Sequence, residues 1–136
     1  MKKFILSIAI FFLISIESFG HVEHYAKYNY LEYELFRNNK SIGYHKYEFN
    51  RIGENLSILS EVEFKITKLG VDLYKYFAKS EEKYENNVFK SYTSTTKQNK
   101  KDRYVKIVVD PIDKNLIIDG SSYQGKANKD FIVGTW

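Results

Sequence analysis

The chain contains no cysteine, and this absence removes several classes of protein at once. No disulfide can form, and no lipid-modified cysteine can anchor the chain. Stability must therefore come from the hydrophobic core alone. Only three histidines are present, so side chains suited to metal binding or proton transfer are also few.

Two sequence motifs of common enzyme classes are missing as well. No Gly-x-Ser-x-Gly elbow surrounds any serine, and no glycine-rich loop is present that would cradle a phosphate. We therefore assign no catalytic residue and no cofactor, and the sequence favours a protein without enzymatic activity.

The first 20 residues have the pattern of a secretory signal peptide. Lys2 and Lys3 form a basic start, residues 4–14 form a run of apolar and small residues, and Ser18 and Gly20 are small residues at the two cleavage-determining positions. A short lysine-rich start of this kind is typical of bacterial exported proteins. The pattern therefore predicts export to the periplasm or secretion from the cell.

We predict cleavage between Gly20 and His21, which leaves residues 21–136 as a single domain. The alternative is an uncleaved N-terminal anchor. Length argues against it, because 13 residues precede Glu17 from Phe4 onwards, whereas a spanning helix needs about 20. No other apolar run is longer, so we predict no transmembrane segment after signal removal.

The charge of the mature chain is mild. Without the signal peptide, 19 basic and 16 acidic residues leave a net charge of +3, so we predict that an exported protein of this kind binds no nucleic acid. The densest basic run is Lys97–Arg103, which lies between two strand-like segments and includes Asp102. We interpret it as a solvated hairpin loop rather than as a site for phosphate or an anionic membrane.

Alternation of apolar and polar residues dominates the mature sequence. It is clearest in residues 56–67, where one face is predicted to be buried and the other to face water. The predicted buried face consists of Leu56, Ile58, Ser60, Val62, Phe64 and Ile66.

Segments of this kind recur with turn residues between them, which predicts an all-β protein: an antiparallel meander that forms a curved sheet or partial β-barrel of about seven strands. The element Leu73–Tyr84 is ambiguous, because Asp72 is also a suitable helix N-cap. The segments are Asn29–Arg37, Ile42–Asn50, Leu56–Thr67, Leu73–Tyr84, Val88–Thr96, Arg103–Asp110 and Leu116–Asp119.

One strand carries the candidate ligand-binding residues Gly43, His45, Tyr47 and Phe49, which share a face. An imidazole among aromatic rings, with a glycine that permits close approach, suits an apolar or amphipathic ligand. The alternatives are aromatic packing with a structural histidine, which we prefer on the residues alone, and a general base at His45.

Two further groups of residues are candidate sites. Hydroxyls on both faces of Val88–Thr96 predict an edge strand, with a strand facing a polar cavity as the alternative. After cleavage, His21 and His24 would lie near the new N-terminus, where a metal site is the alternative to a tail. We interpret that segment as a tail and predict no metal.

The order of these features resembles the exported bacterial family called domain of unknown function 6134. The resemblance rests on Ile42–His45, on Lys65–Lys68, on Tyr74–Tyr76 leading to Tyr84, and on Leu116–Gly120. It implies an antiparallel β architecture with a strand at Leu73–Tyr84, and it brings no established activity. It also implies that family members continue with further strands beyond Trp136, so that the chain would be a fragment.

We therefore expect an exported β protein that serves as a binding or envelope-associated module for an apolar or amphipathic ligand. One alternative is an exported enzyme that uses His45. Another is a structural or assembly protein that acts through an exposed strand edge. The oligomeric state is left open.

Overall fold

The computed structural model describes residues 25–129, and it shows eight strands in one antiparallel sheet. Each strand pairs with the next along the chain, so the sheet is a meander. The strands are β1 (Tyr30–Arg37), β2 (Lys40–Ile52), β3 (Asn55–Lys68), β4 (Val71–Glu85), β5 (Val88–Gln98), β6 (Lys101–Val109), β7 (Leu116–Gly120) and β8 (Gln124–Ala127).

The predicted all-β antiparallel meander is confirmed, with eight strands instead of about seven. The strand missed from the sequence is β8, whose four residues include no β-branched or aromatic side chain. Its pairing with β7, rather than any local preference, makes it a strand. The predicted signal peptide, its cleavage site at Gly20 and His21, and the pair His21 and His24 lie outside the described residues.

The ambiguous element is a strand. β4 pairs with β3 on one side and with β5 on the other along most of its length. These two ladders satisfy the backbone groups that a helix would have had to satisfy internally. The cap at Asp72 is therefore not used to begin a helix, and its carboxylate instead accepts a hydrogen bond from the Thr67 hydroxyl at 2.7 Å.

Tight turns between the strands use residues with positive φ. Asn38 and Asn39 have φ of 51° and 60°, and Asn86 and Asn87 have φ of 52° and 59°. Asparagine tolerates this left-handed region better than most residues, which explains why these dipeptides close hairpins. The loop predicted at Lys97–Arg103 is wrong in extent, because only residues 99–100 separate β5 from β6.

One face of the sheet is buried although the described residues contain no second layer. Ile58 on β3 and Glu82 on β4 are each only 1 % exposed. A flat single sheet would leave both faces in water, so the sheet must bend around this face, hereafter the buried face. Within residues 25–129, β1 and β8 do not pair, and the sheet is not closed.

The hydrophobic core lies at one end of the buried face, where it is formed by Tyr47, Phe49, Leu56 and Ile58. The Tyr25 ring, from the segment before β1, stacks on Phe49 with centroids 5.9 Å apart. The predicted burial of residues 56–67 is confirmed in its first half, whereas Val62, Phe64 and Ile66 are only partly buried. No helix in residues 25–129 has the length and hydrophobicity to cross a membrane.

Candidate functional site

Polar side chains replace apolar ones in the middle of the buried face. The cross-strand register places Tyr47, Ser60, Ser80 and Ser94 in one row across β2 to β5. The next row contains His45, Val62, Ala78 and Thr96. Residues directly opposite one another in a sheet have side chains close enough to interact, so hydroxyl groups from four strands converge here.

His45 is the centre of this polar region. Its Nε2 atom is hydrogen-bonded to the Ser60 hydroxyl at 2.9 Å, and its Nδ1 atom lies 3.3 Å from the Tyr47 hydroxyl. The two rings of His45 and Tyr47 are in contact, with centroids 4.3 Å apart. Burial lowers the pKa of His45 below its usual value, so the imidazole is mainly neutral near pH 7. A neutral imidazole here both accepts and donates a hydrogen bond.

A cavity of about 220 Å³ opens beside His45. Its lining is rich in hydroxyl groups and has apolar side chains between them, so it suits the polar end of a small molecule. The lining residues are His45, Ser60, Val62, Tyr76, Ala78, Lys79, Ser80, Tyr92, Ser94 and Thr96.

A second cavity, also of about 220 Å³, lies on the side of Tyr47 towards the core. Tyr25, Leu31, Tyr33, Tyr47 and Phe49 line it, so its wall is aromatic and aliphatic. The pKa of Tyr47 is raised to about 12, mainly by burial and further by the nearby Tyr33 and Glu82. Its hydroxyl therefore stays protonated at physiological pH and presents a polar edge to His45.

The buried carboxylate of Glu82 lies on the same face. The hydroxyl of Tyr84 donates a hydrogen bond to it at 2.9 Å, and its direct neighbours across the strands are Ile58 and Tyr92. Burial is the main cause that raises the pKa of Tyr84, and the negative charge of Glu82 raises it further. Hydrogen bonding of this kind is what makes a carboxylate tolerable inside an apolar core.

The four candidate ligand-binding residues do not form one site. His45 lines the hydroxyl-rich cavity, whereas Tyr47 and Phe49 line the aromatic one. Gly43 lines neither cavity. A Cβ atom on Gly43 would overlap the Glu63 carbonyl oxygen and lie 2.6 Å from the Cα of Phe64. The glycine permits close approach of the β3 backbone, not of a ligand.

The edge-strand prediction for Val88–Thr96 is wrong. β5 lies inside the sheet between β4 and β6, and its hydroxyls at Ser94 and Thr96 face the cavity instead. The alternative, a strand facing a polar cavity, describes the structure. A hydroxyl group finds hydrogen-bond partners both on an edge strand and in a polar cavity. The amino-acid composition of a strand therefore does not distinguish these two environments.

Sequence reasoning missed Ser60 and Ser80 as parts of the site, and Glu82 as a buried residue on the same face. A signal for Ser60 was present, since it is the single polar residue on the predicted buried face of residues 56–67. Ser80 and Glu82 belong to the ambiguous element, so their face was unknown. Among residues 25–129, no group of three histidine or acidic side chains could hold a metal ion.

Comparison with known proteins assigns the family. No curated protein and no solved structure is significantly similar to the chain. The model of one family, a domain of unknown function (DUF6134), matches residues 33–136. That range covers most of the chain, including β2 to β8 and most of β1. The protein therefore belongs to the DUF6134 family.

Proposed function

We propose that the protein is an exported binding protein that holds a small amphipathic molecule on the buried face. The polar end would lie in the hydroxyl-rich cavity and the apolar part in the aromatic cavity. The observation that carries this proposal is the contact between His45 and Tyr47, since it places the two cavities side by side. Export rests on the signal-peptide pattern of residues 1–20.

The size of the two cavities limits the ligand. Each holds about 220 Å³, less than the roughly 300 Å³ at which sites for drug-sized molecules begin. A phospholipid with two chains is too large for this space. A fatty acid of medium length fits the chemistry, because the hydroxyls of Ser80 and Ser94 in the polar cavity can donate hydrogen bonds to its carboxylate.

We expect delipidated protein to bind dodecanoate, and we expect Ser94→Leu to weaken that binding at least about tenfold, since the larger side chain would fill the polar cavity. Thr93→Leu is the matched control, because Thr93 is the preceding residue and faces the opposite side of the strand. Isothermal titration calorimetry measures both affinities. No uptake by the wild type, or equal loss in the two variants, would contradict the proposal.

A second function is favoured by one specific distance, the 2.9 Å between His45 Nε2 and the Ser60 hydroxyl. In this case Ser60 would attack the acyl carbon of an ester while the neutral imidazole takes its proton, and the imidazolium would give that proton to the alcohol that leaves. Water would then release the acyl group from Ser60 in a second step of the same kind. In a serine–histidine–aspartate triad, a carboxylate stabilises the imidazolium. The Tyr47 hydroxyl takes the place of that carboxylate here, so the stabilisation would be weaker.

A covalent probe tests this second function directly. If Ser60 is activated, a fluorophosphonate should add one adduct mass to the wild type, and Ser60→Ala should prevent it. Ser94→Ala, which changes a cavity hydroxyl not bonded to His45, should still be labelled. An unmodified wild-type mass after long incubation, measured by intact-protein mass spectrometry, would exclude the hydrolase.

A further inference from the structure

The hairpin between β3 and β4 ends in a segment that pairs with neither β2 nor β5. The pairing of β2 with β3 ends at Gly43 and Phe64, and the pairing of β5 with β4 ends at Gln98 and Tyr76. The ladder between β3 and β4 continues to Lys68 and Val71. The tip, residues 65–74, therefore lies outside the ladders with β2 and β5, while β2 itself continues to Lys40 in its pairing with β1.

The tip is apolar and exposed. Leu69 is 95 % exposed, and Val71 and Leu73 are more than half exposed. At its base, the Phe64 ring stacks between Tyr74 and Tyr76, with centroids 5.8 and 5.1 Å apart. The tip is thus supported by stacked rings and exposes aliphatic side chains to solvent, which is unfavourable unless something covers them.

Leu69 is also an unusual residue for its backbone conformation. It has a φ of 52°, and it is the one apolar residue other than glycine with a positive φ in the part of the chain that the structure describes. Other turns place asparagine there, at Asn38, Asn86 and Asn99 among others. Leucine is disfavoured in this region and has no local hydrogen bond to offer in return. Backbone geometry therefore does not explain a leucine at this position, whereas a role for its side chain does.

The surroundings of the tip are basic. In a meander, alternate turns lie at the same end of the sheet, so the β1–β2 and β5–β6 turns accompany the β3–β4 tip. Lys65 and Lys68 belong to the tip, and both are exposed. The acidic residue of the tip, Asp72, forms an ion pair with Lys75 at 2.9 Å, so these two charges offset each other. The β5–β6 hairpin adds the Lys97–Arg103 run, with four basic residues and one acidic residue.

The opposite end of the sheet lacks this excess of positive charge. Its turns include Glu54, Glu85, Asp110 and Asp113, and Lys126 forms ion pairs with the last two at 2.7 and 3.2 Å. The basic charge and the exposed aliphatic tip are therefore concentrated at the same end. This combination complements a surface that is anionic outside and apolar just beneath.

We propose that the β3–β4 tip docks onto an anionic phospholipid surface, with Leu69, Val71 and Leu73 entering the headgroup region and the surrounding lysines contacting lipid phosphates. This inference does not depend on the cavities, which lie on the buried face. The interpretation of Lys97–Arg103 as only a solvated loop is thereby replaced, since that run supplies charge at the same end.

Flotation with lipid vesicles tests the proposal. The protein should float with phosphatidylglycerol-rich vesicles and not with phosphatidylcholine vesicles, and added salt should weaken binding because it screens the lysines. Leu69→Asn should lower the affinity about tenfold, since it removes one inserted aliphatic side chain. The same variant should melt at an equal or higher temperature, because asparagine suits a positive φ. Loss of binding would then not be due to unfolding.

Ile112→Asn is the matched control. Ile112 is 90 % exposed and lies in the connection between β6 and β7, at the opposite end of the sheet. This variant should bind vesicles as the wild type does. Absence of wild-type binding to anionic vesicles would overturn the proposal, and so would undiminished binding by Leu69→Asn. Binding of an oligonucleotide without binding of vesicles would assign the basic end to nucleic acid instead.

Discussion

Gly43→Ala should destabilise the protein by about 3 kcal/mol or more, although it adds only one carbon atom. The added Cβ would overlap the Glu63 carbonyl oxygen and press on the Phe64 backbone and Cβ. Backbone atoms in a paired strand cannot rotate away as a flexible side chain can, so relief requires β2 to separate from β3. Urea unfolding followed by circular dichroism measures the effect.

Gly53→Ala is the control for this prediction. Gly53 has a φ of 59°, and no atom lies within 4 Å of the position that a Cβ would take. Its substitution costs only the conformational strain of a positive φ, about 1 kcal/mol. If Gly43→Ala costs no more than Gly53→Ala, the close approach between β2 and β3 does not exist in solution.

Ile58→Asn should abolish folding or cost more than about 4 kcal/mol, because it leaves a cavity and buries an amide. Ile58 is 1 % exposed, in contact with the core cluster and directly opposite Glu82. Leu59→Asn makes the same type of change at the next residue, on the other face, where Leu59 is 37 % exposed. It should cost about 1 kcal/mol or less.

These two variants also test the register of β3. A shift of one residue would exchange the two faces, and Leu59→Asn would then be the damaging change. Thermal unfolding of both proteins decides between the two results. Similar melting temperatures would mean that neither face is buried and would contradict the bending of the sheet.

The fold was largely predictable because β-structure leaves a local pattern. Alternation along residues 56–67 identified β3 and its buried face, and the turn residues between the alternating segments predicted hairpins. β8 was missed because its four residues have no strand preference of their own. β4 stayed ambiguous because aromatic residues and a cap-like Asp72 suit a helix as well as a strand.

The candidate site was predictable only at His45, Tyr47 and Phe49, which share one strand. Ser60, Ser80 and Ser94 come from three other strands, and only the pairing of those strands puts their hydroxyls beside the histidine. The edge assigned to Val88–Thr96 was wrong for the same reason. Local sequence shows that a hydroxyl group needs a hydrogen-bond partner. It does not show whether the adjacent strands supply that partner or leave the hydroxyl at an edge.

The sequence by itself determined the strand periodicity, the hairpin turns, the absence of disulfides and the resemblance to the DUF6134 family, because each depends on residues near one another in the chain or on composition. Only the tertiary structure decided that the hydroxyls line a cavity, that Gly43 admits a neighbouring backbone, and that Leu69 stands at a basic end of the sheet. Those properties depend on which strands become neighbours and on how far each one extends, and both are set by long-range pairing rather than by local preference.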